Sequence, residues 1–255
     1  MQWAVSCATD LEPTLASTSQ AWSWVRNASE GLLVRYVASL FIGTGRPPAV
    51  IRRTVMSTGG RPISRFPVDL NQSSGASLPV MDLDGLRVAI TGAAGGTGRL
   101  LAEAFAARGA HMYLSARDVA AARQVADAIS QRGAGRAEAY HCDLAAPDAV
   151  RGFATAVTDR TSHLDVLINN GAAYIEGADL TDVSDDTIES VMAAGGTGTV
   201  LLTKHLLPLL RASSRPDIVN MISACGEVGH RRSGAHPAFY AAKHAHAGLA
   251  EILSH

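Results

Sequence analysis

Lysine is almost missing from this sequence. Of its 22 basic residues only Lys204 and Lys243 are lysines, and all the others are arginines. A GC-rich coding sequence produces such a skew. It singles out each surviving lysine, since the solvated basic positions have gone to arginine. Cysteine is scarce and odd in number: Cys7, Cys142 and Cys225 lie far apart and form neither a disulfide framework nor a zinc pattern. A reducing, cytoplasmic compartment and no metal are the expectation. With a net charge of −1 there is no reason to expect nucleic acid or an anionic membrane as partner. Long apolar runs are lacking too: the longest, Leu32 to Gly43, contains Arg35 and is too short to cross a bilayer. What is present is 255 residues, 47% of them hydrophobic, enough for one large α/β domain or two small ones.

The first 80 residues differ from the rest. They hold seven arginines, four acidic residues and all three tryptophans, with many Ser, Thr and Pro. Segments such as 43–48 and 71–77 read as loops or disorder. Three readings stay open: an Arg- and Ser-rich targeting presequence, a flexible extension, or upstream sequence with Met81 as the true start. The lead-in Asp82-Leu-Asp-Gly-Leu86 after Met81 favours the third. The expected division is a poorly ordered extension over 1–80 and a nucleotide-binding domain over 81–255.

From Arg87 onward, strand and helix patterns alternate. Strands are predicted at 87–91, 111–115, 137–142, 166–169 and 218–222. Helices are predicted at 98–108, 119–131, 148–160 and 238–254, with a long helical region from Ser184 to Ala212 broken by Gly195-Gly-Thr-Gly198. Five β-α units in this order predict an α/β Rossmann-type fold, a doubly wound parallel sheet.

The stretch Thr91-Gly-Ala-Ala-Gly-Gly-Thr-Gly98 lies between the first of these strands and its helix. The strand delivers the backbone, the glycines turn it tightly, and the helix N-terminus offers unpaired N–H groups to an anion. In this context cofactor binding outweighs an empty tight turn. After the second strand, Ala116 stands where an NAD-selecting acid would be, and Arg117 follows. A guanidinium there can pair with a 2′-phosphate, which favours NADP over NAD.

The spacing T-G-x-x-x-G-x-G, Asn169-Asn170, Ile218-Val-Asn-Met-Ile-Ser223 and Lys243-His-Ala together resemble the short-chain dehydrogenase/reductase family, over residues 82–255. The resemblance implies an NAD(P)-dependent oxidoreductase acting on an alcohol or carbonyl group of a small molecule. It implies cofactor contacts at Gly92, Gly96, Thr97, Gly98, Arg117, Asp143, Leu144, Asn170, Tyr240 and Lys243. It also implies a catalytic set in which Ser223 orients the substrate oxygen, Tyr240 donates a proton and Lys243 supports the tyrosine. A homodimer is compatible with the helices present.

This sequence departs from the family pattern in three places. Four residues before Lys243, where the family has its tyrosine, stands Phe239; Tyr240 is one residue late, a swing of about 100° on a regular helix. Gly195 stands where the family has a helical asparagine. The sequence ends at His255, short of two further strands that such a fold carries, so an open sheet edge is expected beside the fifth strand. Of the nearby histidines, His236 remains a substitute acid by chemistry alone, whereas His244 and His246 are placed away from the Lys243 face. Residues 226–237 are the expected substrate rim. Two functions therefore stay open: hydride transfer, or dinucleotide binding without turnover.

Overall fold

The computed structural model describes residues 83–133, 135–177, 179–226, 228 and 234–253, together with the backbone of four strands nearer the N-terminus. Those four are β1 (Gln2–Ser6), β2 (Ser23–Arg26), β3 (Ile51–Met56) and β4 (Pro62–Val68). The remainder of the expected extension over 1–80 lies outside the described residues.

The strands that follow fall almost where the alternation predicts. They are β5 (Arg87–Thr91), β6 (His111–Ala116), β7 (Arg136–His141), β8 (Val166–Asn169) and β9 (Asp217–Met221). All pair in parallel, in the spatial order β7-β6-β5-β8-β9. The chain winds outward from β5 through β6 to β7, then returns to β8 and winds the other way. That reversal leaves a crevice at the carboxyl ends of β5 and β8, where a doubly wound sheet takes its ligand. On its far side β9 pairs in parallel with the backbone of β1, and β2, β3 and β4 follow in turn. The sheet edge expected to be open beside the fifth strand is therefore paired.

Helices cover both faces, which is why the central strands are apolar throughout. The helices α1 (Gly96–Ala106) and α2 (Val119–Arg132) lie on one face. There Leu101, Phe105, Val125 and Ile129 pack on Val88, Ile90, Met112, Leu114 and Ile168. On the other face α3 (Pro147–Thr158) and α5 (Gly198–Arg211) bury Val150, Phe153, Leu202 and Leu206 against Ala89, Tyr113 and Leu167. Alternate residues of one strand thus serve opposite cores. The remaining helices are α4 (Asp185–Met192) and α6 (Pro237–Ile252).

Local chemistry sets the helix ends. Asp118 caps α2 by accepting from the N–H groups of Ala120 and Ala121, and Ser184 caps α4 through Thr187 N–H. Pro147 opens α3, where a missing N–H costs nothing. The break expected at Gly195–Gly198 is instead a single π turn, Ala193–Thr197, which joins α4 to α5 without a gap. Glycines tolerate the wider turn, and such turns tend to occur at functional sites. Among the described residues no helix is long and apolar enough to cross a membrane.

Phe105 is fully buried between α1 and the sheet. Phe105→Ala is expected to lower the unfolding free energy by about 3–5 kcal/mol, read as a lower urea midpoint at unchanged m-value.

Candidate active site

The glycine corner is built by close approach. Gly92 has φ +68°, a left-handed conformation that any side chain would strain, and a Cβ there would meet Gly171 Cα at 2.9 Å. A Cβ on Gly98 would fall inside contact distance of the Gly92 carbonyl oxygen. These two positions let α1 begin at Gly96, two residues earlier than the sequence pattern suggests, and no side chain caps its first N–H groups. Thr97 is buried and Gly96 is exposed beside it.

A set of hydrogen bonds ties this corner to the end of β8. The Thr91 hydroxyl oxygen accepts from Asn170 N–H at 3.1 Å and from Gly171 N–H at 2.8 Å. In return the Asn170 side-chain amide donates to Thr91 O at 2.9 Å and to Gly92 O at 3.3 Å. Asn170 therefore holds the glycine loop in place from behind. Leu144 packs against Gly171 and Gly198, so the loop after β7 joins the same wall. Asp143 closes its own turn by accepting from Ala145 N–H at 2.9 Å. Arg117 is exposed at the carboxyl end of β6. Its neighbour Asp118 is engaged as the α2 cap, with its Oδ1 2.9 Å from Ala120 N.

The chemical end of the crevice lies beyond β9. Ser223 is the single non-glycine residue with positive φ (61°) among the described residues. Such a conformation costs about 1–3 kcal/mol and tends to persist at functional sites. Its hydroxyl oxygen accepts from Cys225 N–H at 3.4 Å. Lys243 is only 4% exposed, and its ammonium group donates to Met221 O at 2.7 Å. Burial lowers its pKa to about 8, opposed only by the nearby Cys225 thiol. Cys142 and Cys225 are both buried, and neither is in a disulfide.

Beside the amine sits Phe239. Its ring centroid is 5.7 Å from Lys243 Nζ, a distance at which the ring face attracts a cation. Tyr174 meets the same ring edge-on, with centroids 5.1 Å apart and planes at 82°. Helix α6 is continuous from Pro237, so position 239 lies one turn before the lysine and Tyr240 lies about 100° further round. Tyr240 is half-buried and packs against an apolar cluster that includes Val191, Ala235 and Ala242. The site brings Ser223, Lys243 and Phe239 to one end of the sheet; the expected asparagine place is bare backbone at Gly195.

His236 is fully buried and caps α6, its Nδ1 accepting from Ala238 N–H at 3.1 Å. His246, expected away from the lysine, is also buried, with Nε2 3.0 Å from the Thr199 hydroxyl. The signal in the sequence was its spacing of three from Lys243, which makes neighbours on a helix surface. Of the expected rim, residues 227 and 229–233 lie outside the described residues.

Comparison with known proteins agrees with this architecture. The profile of the family described as short chain dehydrogenase matches residues 87–255. An uncharacterized oxidoreductase of Bacillus subtilis is 32% identical over 144 residues, 56% of this chain and 52% of that protein. A metagenomic short-chain oxidoreductase solved in complex with NADP superposes with a TM-score of 0.59 at 30% identity, over 66% of this chain and 74% of its own. A putative short chain dehydrogenase from Escherichia coli CFT073, complexed with NADPH, gives a TM-score of 0.60 at 26% identity, over 69% and 73%. The chain spans about half the length of the first curated relatives it matches.

Two outcomes are expected. Gly98→Ala should close the corner and abolish stabilisation by added NADPH in a thermal-shift assay, because its Cβ overlaps the Gly92 carbonyl. The second concerns pH. Lys243 holds fewer protons folded than unfolded between about pH 8 and 10.5, so stability should rise with pH across that window. Urea titrations should show wild type gaining on Lys243→Met as the pH is raised through it.

Proposed function

The chain belongs to the short chain dehydrogenase family, and from that premise we propose that it binds NADP(H) in the crevice and transfers a hydride between the nicotinamide and an alcohol or carbonyl group of a small molecule. The observation that carries this reading is the cradle at Gly92 and Gly98, where only bare backbone fits. An approaching pyrophosphate needs that space and the N–H groups of α1. Bound NADPH would supply the hydride.

The protein supplies binding and proton handling. Thr91 and Asn170 hold the loop open for the phosphates, and Gly96 and Thr97 border them. Arg117, exposed and left to itself by the capping role of Asp118, suits a 2′-phosphate. Asp143 and Leu144 border the adenine end. Lys243 hydrogen-bonds the nicotinamide ribose and lends positive charge to the site. Ser223 orients the substrate oxygen, and Tyr240 is the phenol assigned to protonate it. The described cysteines, buried and in no disulfide, suit a reducing cytoplasm.

One observation favours a second reading. Phe239, and not a tyrosine, lies against Lys243, and a phenyl ring has no proton to give. On this reading the chain binds the dinucleotide without turning it over.

Kinetics separate the two. Carbonyl-dependent oxidation of NADPH by the wild type, reduced at least ~100-fold in Tyr240→Phe, is expected for the enzyme. Stabilisation by NADPH with no oxidation of it across a carbonyl panel would leave binding alone. Arg117→Asp should weaken NADPH about tenfold while sparing NADH, measured by fluorescence titration; equal losses for both cofactors would reject the phosphate role.

A further inference from the structure

A closed circuit of buried polar groups runs behind Lys243. Lys243 Nζ donates to Met221 O on β9. The adjacent residue, Asn220, accepts at Oδ1 from the Asn169 amide at 2.9 Å, and the same amide reaches the Thr203 hydroxyl at 3.1 Å. Thr203 donates to Thr199 O at 2.8 Å, and the Thr199 hydroxyl lies 3.0 Å from His246 Nε2. His246 is three residues beyond Lys243 on α6, which closes the circuit. All five side chains that link Met221 back to the helix are no more than 3% exposed.

Polar groups are costly at such depth unless paired, so an apolar residue would be the cheaper filling at position 246. Two atoms of this circuit are in fact left without a partner among the described residues, Asn220 Nδ2 and His246 Nδ1. An incompletely satisfied network is destabilising, and its retention beside an amine that must be placed accurately points to a use. The His246 ring lies close to two carbonyls, Met221 O, which Lys243 already holds, and Gly195 O in the π turn. Burial, then the charge of Lys243, keeps the imidazole uncharged, against the pull of those carbonyls. It therefore adds no second cation near the amine. The groups facing Lys243 are Cys225 beyond β9, the Phe239 ring and this neutral histidine.

We propose that His246 is a positioning residue for Lys243: by docking α6 on Thr199 and against the π turn, it fixes the ammonium group at Met221 O, at the end of β9. The proposal rests on the reading of Lys243 as a working residue of the crevice. It gives a purpose to a polar side chain buried behind the amine.

The chain's two lysines make the test direct. Isotope-labelled lysine gives two side-chain signals, one from exposed Lys204 and one from Lys243, whose titration can be followed without any ligand. In His246→Leu the Lys243 midpoint should rise by about one unit, as the amine leaves Met221 O for solvent, while Lys204 is unchanged. His246→Gln, which keeps a donor and an acceptor, should bring it back. A His246→Leu midpoint equal to wild type, or a glutamine variant identical to the leucine one, would overturn the proposal. If His246→Leu does not fold, Thr199→Val removes the other end of the contact and must shift the midpoint the same way; no shift overturns it equally. Because this titration involves no cofactor, a chain that fails to oxidise NADPH would lose its proposed activity and leave this result standing.

Discussion

One threonine hydroxyl holds the crevice together. Thr91 Oγ1 receives two backbone N–H groups from the end of β8, and the Asn170 amide returns two bonds to the backbone of the glycine loop. Strands β5 and β8 pair in parallel but are 75 residues apart between Thr91 and Val166, and this contact extends their pairing past the strand ends, into the loops. It satisfies the buried Gly171 N–H, which would cost about 1–3 kcal/mol if left unpaired. With both loops fixed, Gly171 and Leu144 can close to contact.

The opposite end of the crevice depends on burial. An amine at 4% exposure has lost most of its water, and what replaces it is one carbonyl and one aromatic face. Neither offsets the full desolvation of an ammonium ion, hence its lowered pKa. The phenyl ring that provides the attraction carries no hydroxyl with which to serve chemistry. The two functional readings turn on whether Tyr240, one residue further round α6, takes the part that Phe239 has no hydroxyl to play.

Much of this was legible in the residues. The strand–helix alternation located β5, β6, β7, β8 and β9 to within a residue, most plainly β5 and β8, whose cover on both faces leaves an apolar run. The glycine corner was legible because its requirement is steric. What was not legible depended on the third dimension. Asn170 reads as a ligand contact, and that its amide also braces the glycine loop could not be read, since nothing in a linear sequence shows which way an amide turns. The pair Gly195-Gly196 reads as a helix break and is a π turn, because packing against α6 keeps the helix whole. Ser223 was already a candidate from its motif, and only its left-handed backbone was hidden from the sequence. His246 was misplaced because burial of a polar histidine is decided by its partner, Thr199, 47 residues away in the chain.

The π turn has one more consequence, in evolutionary terms. A Cβ at Gly195 would stand 2.6 Å from the Ala242 methyl, on the residue next to Lys243. The two helices cross on bare backbone, so positions 195 and 242 can change only together. A single substitution cannot restore an amide side chain there: the step to asparagine first passes through a clash, unless residue 242 has already become glycine. Whatever chemistry this chain performs, it has been committed to a route without that side chain, and the commitment is recorded in the contact of two helices, outside the crevice itself.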